Sequence, residues 1–473
     1  MRVLLANPPA GFSYGVLGIM RPPLGLAYIA SILRPHHQVE IVDFNVARQS
    51  WSTYPYREFD VVGISVDTAR CDMAFKIAQV AKRQGAIVVV GGLHVTFMDH
   101  EALSSGVVDY VVRNEGEYSL LSLVDFLSDR TPFEEVRGVS YLNNGQIERT
   151  PDGPVIRDLD ALPFPARDLL PLSLYKERMN GRLMTTLITS RGCPYNCDFC
   201  SSSRFFGAGW RARSVENILE EIGLLHEDYN YRAISFVDDN FTADPGRATE
   251  ISEMIIARGW DLNWAAMSRV DTIVNNPGMV RAMAKAGFRW TFIGFESGNQ
   301  KALDAYRKKA LTGDSLKAMD ILRENGVEVT GAFIMGAPGE TKDMIRETID
   351  FAKRLNPRRA QFSILTPYPG TELYDKVENR LLTRDWRFYS GMHPTIDLEH
   401  VTPEELRRLH ILAYSSFYGR PRKAAENVSY ICRMVPGLAK HLTLSAISRP
   451  VRLVSRPIIQ AKDRVVAMHR LLR

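Results

Sequence analysis

Short hydrophobic runs alternate with amphipathic stretches throughout the first 135 residues. Runs rich in Val, Ile and Leu predict strands at 2–6, 39–44, 61–66, 86–90 and 110–113, and the segments between them predict helices at 24–33, 71–83, 100–104 and 118–128. Hydrophobic strands separated by helices are typical of a doubly wound parallel sheet. Ligands of such sheets bind beyond the carboxyl ends of the strands, so the loops that follow the strands are candidate binding segments.

A second α/β pattern begins near residue 183. Its predicted strands lie at 185–189, 233–237, 264–267, 290–295, 329–335 and 360–365, with helices that begin near Ser214, Pro245, Pro277, Asn299, Thr312 and Thr341. Ser and Thr favour the N-cap of a helix and Pro favours its first turn, which supports these starting points. Six strand–helix repeats predict a partial (β/α)6 barrel, whose functional side chains lie at the carboxyl ends of the strands.

These patterns divide the chain into four predicted regions: a doubly wound domain at 1–135, a connector at 136–182, a barrel at 183–395 and a helical cap at 396–473. The connector contains a predicted hairpin around Asn144 and Gly145, because Asn-Gly favours a type I′ turn. An extended segment with three prolines, the last of which is Pro171, follows the hairpin. The predicted fold class is therefore α/β with a helical C-terminal region.

The composition fits an intracellular protein of several domains. The chain has 473 residues, of which 45% are hydrophobic, enough for two or three domains with substantial cores. No uninterrupted hydrophobic stretch reaches 18 residues, and the N-terminal run is too short for a signal peptide. Three of the five cysteines lie within eight residues, which is not a disulfide framework. We therefore expect a reducing, cytoplasmic location.

Cys193, Cys197 and Cys200 form a C-x3-C-x2-C run directly after the first predicted barrel strand. Each iron of a [4Fe–4S] cube takes one external ligand, so three thiolates leave one iron open for a small molecule. The alternatives are a zinc site with a fourth ligand elsewhere, or a disulfide with one spare thiol. Only Cys71 and Cys432 remain, which excludes a second cluster with four cysteine ligands within this chain.

This cysteine run resembles the signature of the radical S-adenosylmethionine (SAM) superfamily, and the resemblance extends over residues 183–371. It implies that the open iron binds the amino and carboxylate groups of SAM, and that electron transfer cleaves SAM to a deoxyadenosyl radical. It also implies SAM contacts at the ends of successive barrel strands. The residues assigned to these contacts are Asp239, Arg269, Glu296, Ser297, Gly331 and Gly336.

Each assigned SAM contact has its own chemistry. The carboxylate of Asp239 would accept from the SAM amino group, although a capped turn is the simpler interpretation of this segment. Arg269 would bind the SAM carboxylate, with an ordinary ion pair as the alternative. Glu296, within the segment from Gly294 to Gly298, resembles the ribose contact of the family, and a carboxylate suits two hydroxyls. Glycines at the fifth strand would let adenine approach the backbone.

The N-terminal domain resembles the cobalamin-binding domain that is fused to one large branch of radical SAM enzymes. The segments that match include Gly63-Ile64-Ser65, Gly91-Gly92-Leu93-His94 and Glu115-Gly116-Glu117. The resemblance implies cobalamin contacts at Gly63, Ser65, Gly91, Gly92, His94 and Glu115.

The D-x-H-x-x-G signature of histidine-ligated cobalamin is absent from this domain, since Asp99 and His100 are adjacent. In this branch such an absence implies cobalamin held without a histidine ligand, and a domain that binds no cobalamin is the alternative. A solvated loop residue is the alternative interpretation of His94.

The C-terminal region has a segment at 414–421 that resembles the end of anaerobic magnesium-protoporphyrin cyclases and hopanoid methylases, which act on hydrophobic substrates. From Arg420 to Arg473 there are twelve Lys or Arg residues against Glu426 and Asp463, a net charge of +10. Such a segment could lie on an anionic membrane surface. A helical cap with a solvated face is the alternative, and the lack of interleaved aromatic residues disfavours a nucleic-acid partner.

The sequence thus predicts an enzyme with a [4Fe–4S] cluster, SAM and cobalamin that abstracts hydrogen from an unactivated carbon and methylates a small hydrophobic substrate. An external electron donor would reduce the cluster, and peripheral membrane contact is expected from the tail. The rival enzymatic interpretation is a cyclase or other oxidative rearrangement without methyl transfer. A rival from another class is a non-catalytic scaffold at the membrane surface.

Overall fold

The computed structural model describes residues 1–10, 20–207, 209–308 and 311–426. Its first sheet contains β1 (Arg2–Asn7), β2 (Gln38–Asp43), β3 (Val61–Ser65), β4 (Ile87–Gly91), β5 (Tyr110–Val112), β6 (Val139–Asn143) and β7 (Gln146–Arg149). The spatial order of these strands is β2-β1-β3-β4-β5-β6-β7. The first five pair in parallel, as their hydrophobic sequences predict.

The hairpin predicted in the connector forms, but it belongs to this first sheet. β6 pairs antiparallel with β5, and β7 pairs antiparallel with β6. Asn144 and Gly145 have φ angles of 50° and 82°, as the two central residues of a type I′ turn require. The doubly wound sheet is therefore parallel at its centre and antiparallel at one edge.

The second sheet is the predicted partial barrel. It contains β8 (Arg178–Met179), β9 (Arg182–Leu187), β12 (Ala233–Phe236), β13 (Asn263–Ser268), β14 (Phe288–Glu296), β15 (Glu328–Met335) and β16 (Arg359–Ile364). Six of these strands are parallel in the order β16-β15-β14-β13-β12-β9, and β8 is added antiparallel at one edge. A separate two-stranded pair, β10 (Ser190–Gly192) and β11 (Trp210–Ala212), lies on either side of the cysteine loop.

The helices of the N-terminal domain are α1 (Leu24–Leu33), α2 (Cys71–Arg83), α3 (Leu93–Phe97), α4 (Asp99–Ser104) and α5 (Glu117–Leu127). Those of the barrel are α6 (Ser202–Phe205), α7 (Val215–Glu227), α8 (Pro245–Ala257), α9 (Val270–Asn275), α10 (Pro277–Lys285), α11 (Gln300–Ala305), α12 (Thr312–Glu324), α13 (Lys342–Leu355) and α14 (Glu372–Val377). Ser214 and Thr341 accept the N-cap hydrogen bonds of α7 and α13, which confirms the predicted starts.

The two domains share packing beyond the connector. Tyr374, Trp386 and Tyr389, which follow the last barrel strand, are buried in the core of the N-terminal domain. The Trp386 indole also donates to Glu101 at 2.7 Å. The chain therefore returns to the first domain after completing the barrel, and this holds the two sheets in one relative position.

The C-terminal helix α15 (Pro403–Tyr418) covers the edge strand of the barrel. The Tyr414 hydroxyl donates to the Phe362 carbonyl and accepts from its amide, both at 3.2 Å. The Tyr418 hydroxyl does the same at Ala360. The two tyrosine hydroxyls thus form hydrogen bonds with backbone groups at the edge of β16 that would otherwise be unpaired. The predicted helical cap is confirmed up to Glu426, and the rest of the basic tail lies outside the described residues.

Candidate functional site

A cavity of about 740 Å³ lies where the carboxyl ends of the first sheet face the barrel. Five of the six residues assigned to cobalamin contacts line it, namely Gly63, Ser65, Gly91, Gly92 and Glu115. From the barrel side it is lined by Ile188, Ser190, Arg191, Phe205, Phe206, Val237 and Asp239. The structure therefore brings the predicted cobalamin loops and the start of the cysteine segment to one space, as the strand-end argument predicts.

The glycines of the first domain shape this cavity through the backbone. Gly92 has a φ of 116°, and a Cβ there would lie 2.8 Å from the Val66 carbonyl oxygen. At Gly63 a Cβ would lie 3.0 Å from the Leu5 side chain. Larger residues at these positions would shift the main chain, and both glycines line the cavity, so backbone forms part of its wall.

The three cysteines lie in the loop between β10 and β11, and none of them forms a disulfide. Burial raises the pKa of all three thiols, that of Cys200 to about 11, and the nearby charges of Asp239, Cys197 and Cys193 contribute to the rise at Cys200. At Cys197 the cations Lys308 and Arg269 oppose this rise. Thiols that are costly to ionise alone are suited to a positively charged cluster that stabilises the thiolates.

Within the described residues, no group of three or more His, Cys, Asp or Glu side chains forms a ready site for a metal ion. The assignment of the triplet to an iron–sulfur cluster therefore depends on its donor chemistry and spacing. Three free thiols within one loop are a suitable donor set for such a cluster.

Asp239 lies between the cysteines and the cavity. It lines the cavity and accepts from the Ser202 hydroxyl at 2.5 Å, and its charge raises the pKa of Cys193 and Cys200. The neighbouring Asp238 has a different role, because it is 1% exposed and accepts from the Thr189 amide at 2.7 Å. The side chain of Asp238 thus joins the ends of β9 and β12 instead of capping a local turn, and Asp239 is the carboxylate of this pair that lines the cavity.

Arg269 forms the ion pair that was the alternative interpretation of this residue. Its guanidinium donates to Asp271 at 3.0 Å and lies 3.5 Å from the centre of the Tyr195 ring. Tyr195 belongs to the cysteine loop, and its hydroxyl donates to Asp271 at 3.3 Å. In this arrangement Arg269 and Asp271 hold the cysteine loop against the end of β13.

The residues predicted to contact ribose are both engaged within the protein. Glu296 has a φ of 59° and accepts from Lys308 at 2.9 Å. The Ser297 hydroxyl lies 2.8 Å from that of Thr348, and the residue is fully buried. A positive φ at a residue other than glycine is a strained conformation that is often found at functional sites. The structure thus leaves Glu296 as the better candidate of the two for a ligand contact.

The glycines assigned to the adenine contact do not line the cavity. A Cβ at Gly331 would lie 3.0 Å from the Phe295 ring. Gly336 has a φ of 88°, and a Cβ there would lie 2.8 Å from Leu406 of α15. Packing and turn geometry therefore account for both glycines.

The sequence analysis did not identify Glu340, a buried carboxyl that follows the carboxyl end of β15. Glu340 is 1% exposed and accepts from the Gly336 and Ala337 amides at 2.6 and 3.0 Å. Its second oxygen and the Tyr306 hydroxyl are buried without a partner among the described residues. Burial raises the pKa of Glu340 to about 7. The Gly-Ala-Pro-Gly-Glu sequence was the available signal, because a carboxylate four residues after a glycine can accept from the turn that follows the strand.

His94 is not the solvated loop residue that was the alternative interpretation, and it is not among the described residues that line the cavity. It is 1% exposed, its Nδ1 lies 3.2 Å from the Thr68 hydroxyl, and its ring packs edge-on against Trp386. Burial lowers its pKa to about 4. The partner comes from a segment almost 300 residues away, which no local pattern could indicate.

Glu115 lines the cavity, as predicted, but its carboxylate is already bound by two arginines of the barrel. Arg191 donates to it at 2.7 Å and Arg211 at 2.9 Å. These contacts cross from one domain to the other.

A partial α/β barrel with a three-cysteine loop after its first strand, joined to a doubly wound domain, defines the class of radical SAM enzymes with a B12-binding domain. The family model of the radical SAM superfamily matches residues 187–352, and that of the B12 binding domain matches residues 16–124. An uncharacterized methyltransferase of Pyrococcus horikoshii is 39% identical over 438 residues, which are 90% of this chain and 95% of that protein. The chain therefore belongs to the B12-binding radical SAM family.

More distant relatives have assigned activities. The hopanoid C-3 methylase of Methylococcus capsulatus is 28% identical over 89% of this chain and 81% of its own length. The anaerobic magnesium-protoporphyrin IX monomethyl ester cyclase of Rubrivivax gelatinosus is 26% identical over 88% of this chain and 77% of its own.

Two solved structures share the fold. The radical SAM methyltransferase TsrM from Kitasatospora setae, with cobalamin and a [4Fe–4S] cluster bound, has a TM-score of 0.67 and 19% identity, over 80% of this chain and 74% of that one. The cobalamin-dependent enzyme OxsB has a TM-score of 0.64 and 24% identity, and this chain spans only 55% of its length. At these identities the likeness concerns the fold alone.

Membership of this family makes the protein an enzyme whose cofactors are a [4Fe–4S] cluster, SAM and cobalamin. The residues present fit these groups, because three free thiols belong to a segment of which Arg191 and Phe206 line the cavity, and glycines of the B12-binding domain line it from the other side. Among the helices that the structure describes, none combines the length and hydrophobicity needed to cross a bilayer.

Proposed function

We propose that this enzyme transfers a methyl group to an unactivated carbon of a small hydrophobic molecule. The observation that carries the proposal is the cavity of about 740 Å³ that glycines of the first domain share with Asp239 and the start of the cysteine segment. A methyl carrier in one domain and a radical source in the other must meet at the substrate, and only a shared space allows this. The methylase and methyltransferase relatives support methyl transfer, and the cyclase relative supports the alternative of an oxidative cyclisation.

In this proposal Cys193, Cys197 and Cys200 hold the cluster, and Asp239 accepts from the amino group of SAM. When bound, the cofactors supply a methyl group and an organic radical. The protein orients them and excludes water with apolar side chains such as Ile188 and Phe206, both of which line the cavity. Arg269 keeps the cysteine loop in place through Tyr195.

Cobalamin is held without a histidine ligand in this proposal. None of the described residues that line the cavity is a histidine. His94 is engaged with Thr68 and Trp386, and Asp99 accepts two hydrogen bonds from Arg149 at 2.7 Å. The paramagnetic spectrum of the bound Co(II) form should therefore lack nitrogen splitting from a protein histidine, and the presence of such splitting would contradict this arrangement.

Anaerobic reconstitution with SAM, with and without cobalamin, tests the proposed chemistry. The wild-type protein should bind about four irons per chain and cleave SAM reductively. Replacing the three cysteines of the loop with Ala should abolish both, whereas Cys71→Ala should abolish neither. Mass analysis of the product separates the two reactions, because methylation adds one carbon and cyclisation adds none. A triple variant that still cleaves SAM at the normal rate would refute the cluster assignment.

We also propose that the basic tail holds the enzyme at an anionic membrane surface, where a hydrophobic substrate would reside. The first residues of this segment pack on the barrel, because Arg420 donates to the Lys353 carbonyl at 3.0 Å and Lys423 is 4% exposed. A cut after Glu426 therefore keeps these contacts. The segment that it removes contains nine Lys or Arg residues and one Asp, each basic residue contributing about 1 kcal/mol near such a surface.

A chain cut after Glu426 should lose binding to anionic vesicles in a flotation assay and retain SAM cleavage. Binding of the full-length protein should weaken strongly at high salt, because exposed charges are screened. Equal flotation of the two forms at low salt would refute the membrane proposal and leave a solvated segment.

A further inference from the structure

A buried cluster of four charged side chains connects the two domains at the cavity. Glu115 and Glu117 follow β5 of the first domain, while Arg191 lies in β10 and Arg211 in β11 of the barrel. Arg191 donates to Glu115 at 2.7 Å and to Glu117 at 2.5 Å, and Arg211 donates to Glu115 at 2.9 Å. The partners are 74 to 96 residues apart in the chain, so tertiary structure alone brings them together.

The two arginines of this charge cluster flank the cysteine loop. β10 leads directly into the cysteine loop and β11 leads out of it, so one guanidinium lies on each side of Cys193, Cys197 and Cys200. Arg211 also donates to the carbonyl of Phe206, a residue of the same loop that lines the cavity, at 3.1 Å. Both ends of the cysteine loop are therefore bound to the same carboxylate of the B12-binding domain.

Burial makes this arrangement sensitive to geometry. The side chains of Arg191 and Glu115 are 9% and 5% exposed, and that of Arg211 is 14% exposed. Two carboxylates face two guanidiniums, so the charges balance only while all four side chains remain in contact. Any displacement of the cysteine loop relative to β5 would leave a buried charge without its partner, which is strongly unfavourable. The cluster thus favours one relative position of the two segments.

We propose that this charge cluster couples occupancy of the cavity by a corrinoid to the order of the cysteine loop, with Glu115, Arg191 and Arg211 as positioning residues. The inference rests on the proposed function in so far as it assigns the cavity to cobalamin. A ligand that fills the cavity restrains the loop after β5, and the ion pairs carry this restraint to β10 and β11. Coupling between two binding events is reciprocal. If a bound corrinoid favours assembly of the iron–sulfur cluster by some factor, the assembled iron–sulfur cluster must tighten corrinoid binding by the same factor.

The test uses the full-length protein, with and without anaerobic iron–sulfur reconstitution, and hydroxocobalamin as the probe. In the wild type, reconstitution should tighten hydroxocobalamin binding at least fivefold. Hydroxocobalamin should in turn slow amide hydrogen exchange in residues 193–207 at least fivefold. Neither readout requires substrate or methyl transfer.

The informative variant is Arg211→Gln, because Arg211 is not among the described residues that line the cavity, so its side chain is not expected to contact the corrinoid. In this variant, the tightening of hydroxocobalamin binding by reconstitution and the slowing of amide exchange by hydroxocobalamin should each fall below twofold. The iron content should stay at the wild-type level. Arg211→Lys, which keeps the charge but not the paired hydrogen bonds, should be intermediate. The matched control is Asp99→Asn, since Asp99 is a buried carboxylate paired with Arg149 inside the first domain. It should keep both effects in full.

The outcomes separate the inference from the proposed function. Full coupling in Arg211→Gln would overturn the inference, as would a wild type that binds hydroxocobalamin and iron without coupling. Failure of the wild type to bind hydroxocobalamin would overturn the proposed function as well. If Arg211→Gln does not fold, the comparison of Arg211→Lys with the wild type decides, and equal coupling in the two would refute the role of the cluster.

Discussion

Removing the charge of Glu221 tests how the connector is attached to the barrel. Glu221 lies on α7, is 2% exposed, and accepts from Arg167 at 2.7 Å and from Arg213 at 2.5 Å. Arg167 belongs to the connector, and Arg213 follows β11, so one carboxylate joins three segments. Glu221→Gln keeps the shape of the side chain but leaves two buried guanidiniums without a counter-ion.

The expected cost follows from these contacts. A hydrogen bond to a charged group contributes about 1.5–3 kcal/mol, and breaking a buried ion pair from one side costs about 3–5 kcal/mol. Because Glu221 has two such contacts and almost no access to water, we expect a loss of about 4 kcal/mol in the free energy of unfolding. Urea denaturation followed by tryptophan fluorescence measures it, since Trp264 is fully buried in the barrel core.

The control is Glu220→Gln, an exposed position next to Glu221 on the same helix, which should change the free energy of unfolding by less than about 0.5 kcal/mol. A loss below about 1 kcal/mol in Glu221→Gln would refute the reasoning. It would mean that the two arginines find other partners or water when the charge is removed.

Two further predictions concern buried polar groups. Burial raises the pKa of Glu340 from 4.5 to about 7, so its contribution to stability is present below pH 4.5 and is lost as the pH rises through 7. Relative to Glu340→Gln, the wild type should lose about 2.5 kcal/mol between pH 5 and 8, and a difference independent of pH would contradict this. Tyr414→Phe should lower the free energy of unfolding by about 1–3 kcal/mol and speed hydrogen exchange at the Phe362 amide, because that amide loses its acceptor. Tyr229→Phe, at an exposed position, should change neither.

Local signals in the sequence determined much of this protein. The hydrophobic periodicity predicted all five parallel strands of the first sheet and all six of the barrel, because each strand carries hydrophobic residues at the positions that it buries. The caps at Ser214 and Thr341 and the turn at Asn144 were predictable for the same reason, since their partners lie within three residues. The spacing of the three cysteines indicated the cluster, because its ligands come from a single loop.

The tertiary structure alone decided the partners of the polar side chains. His94 was expected at the cavity or in solvent, but Trp386 covers it from the far end of the chain. Gly336 was assigned to adenine, but its open side is filled by Leu406 of the C-terminal helix. Glu115 was assigned to the cofactor, and the sequence did not indicate that two arginines of the barrel bind it. The physical reason is common to all three: a charge, a ring or a missing Cβ has no periodicity, so its role depends on distant residues that only folding brings into contact.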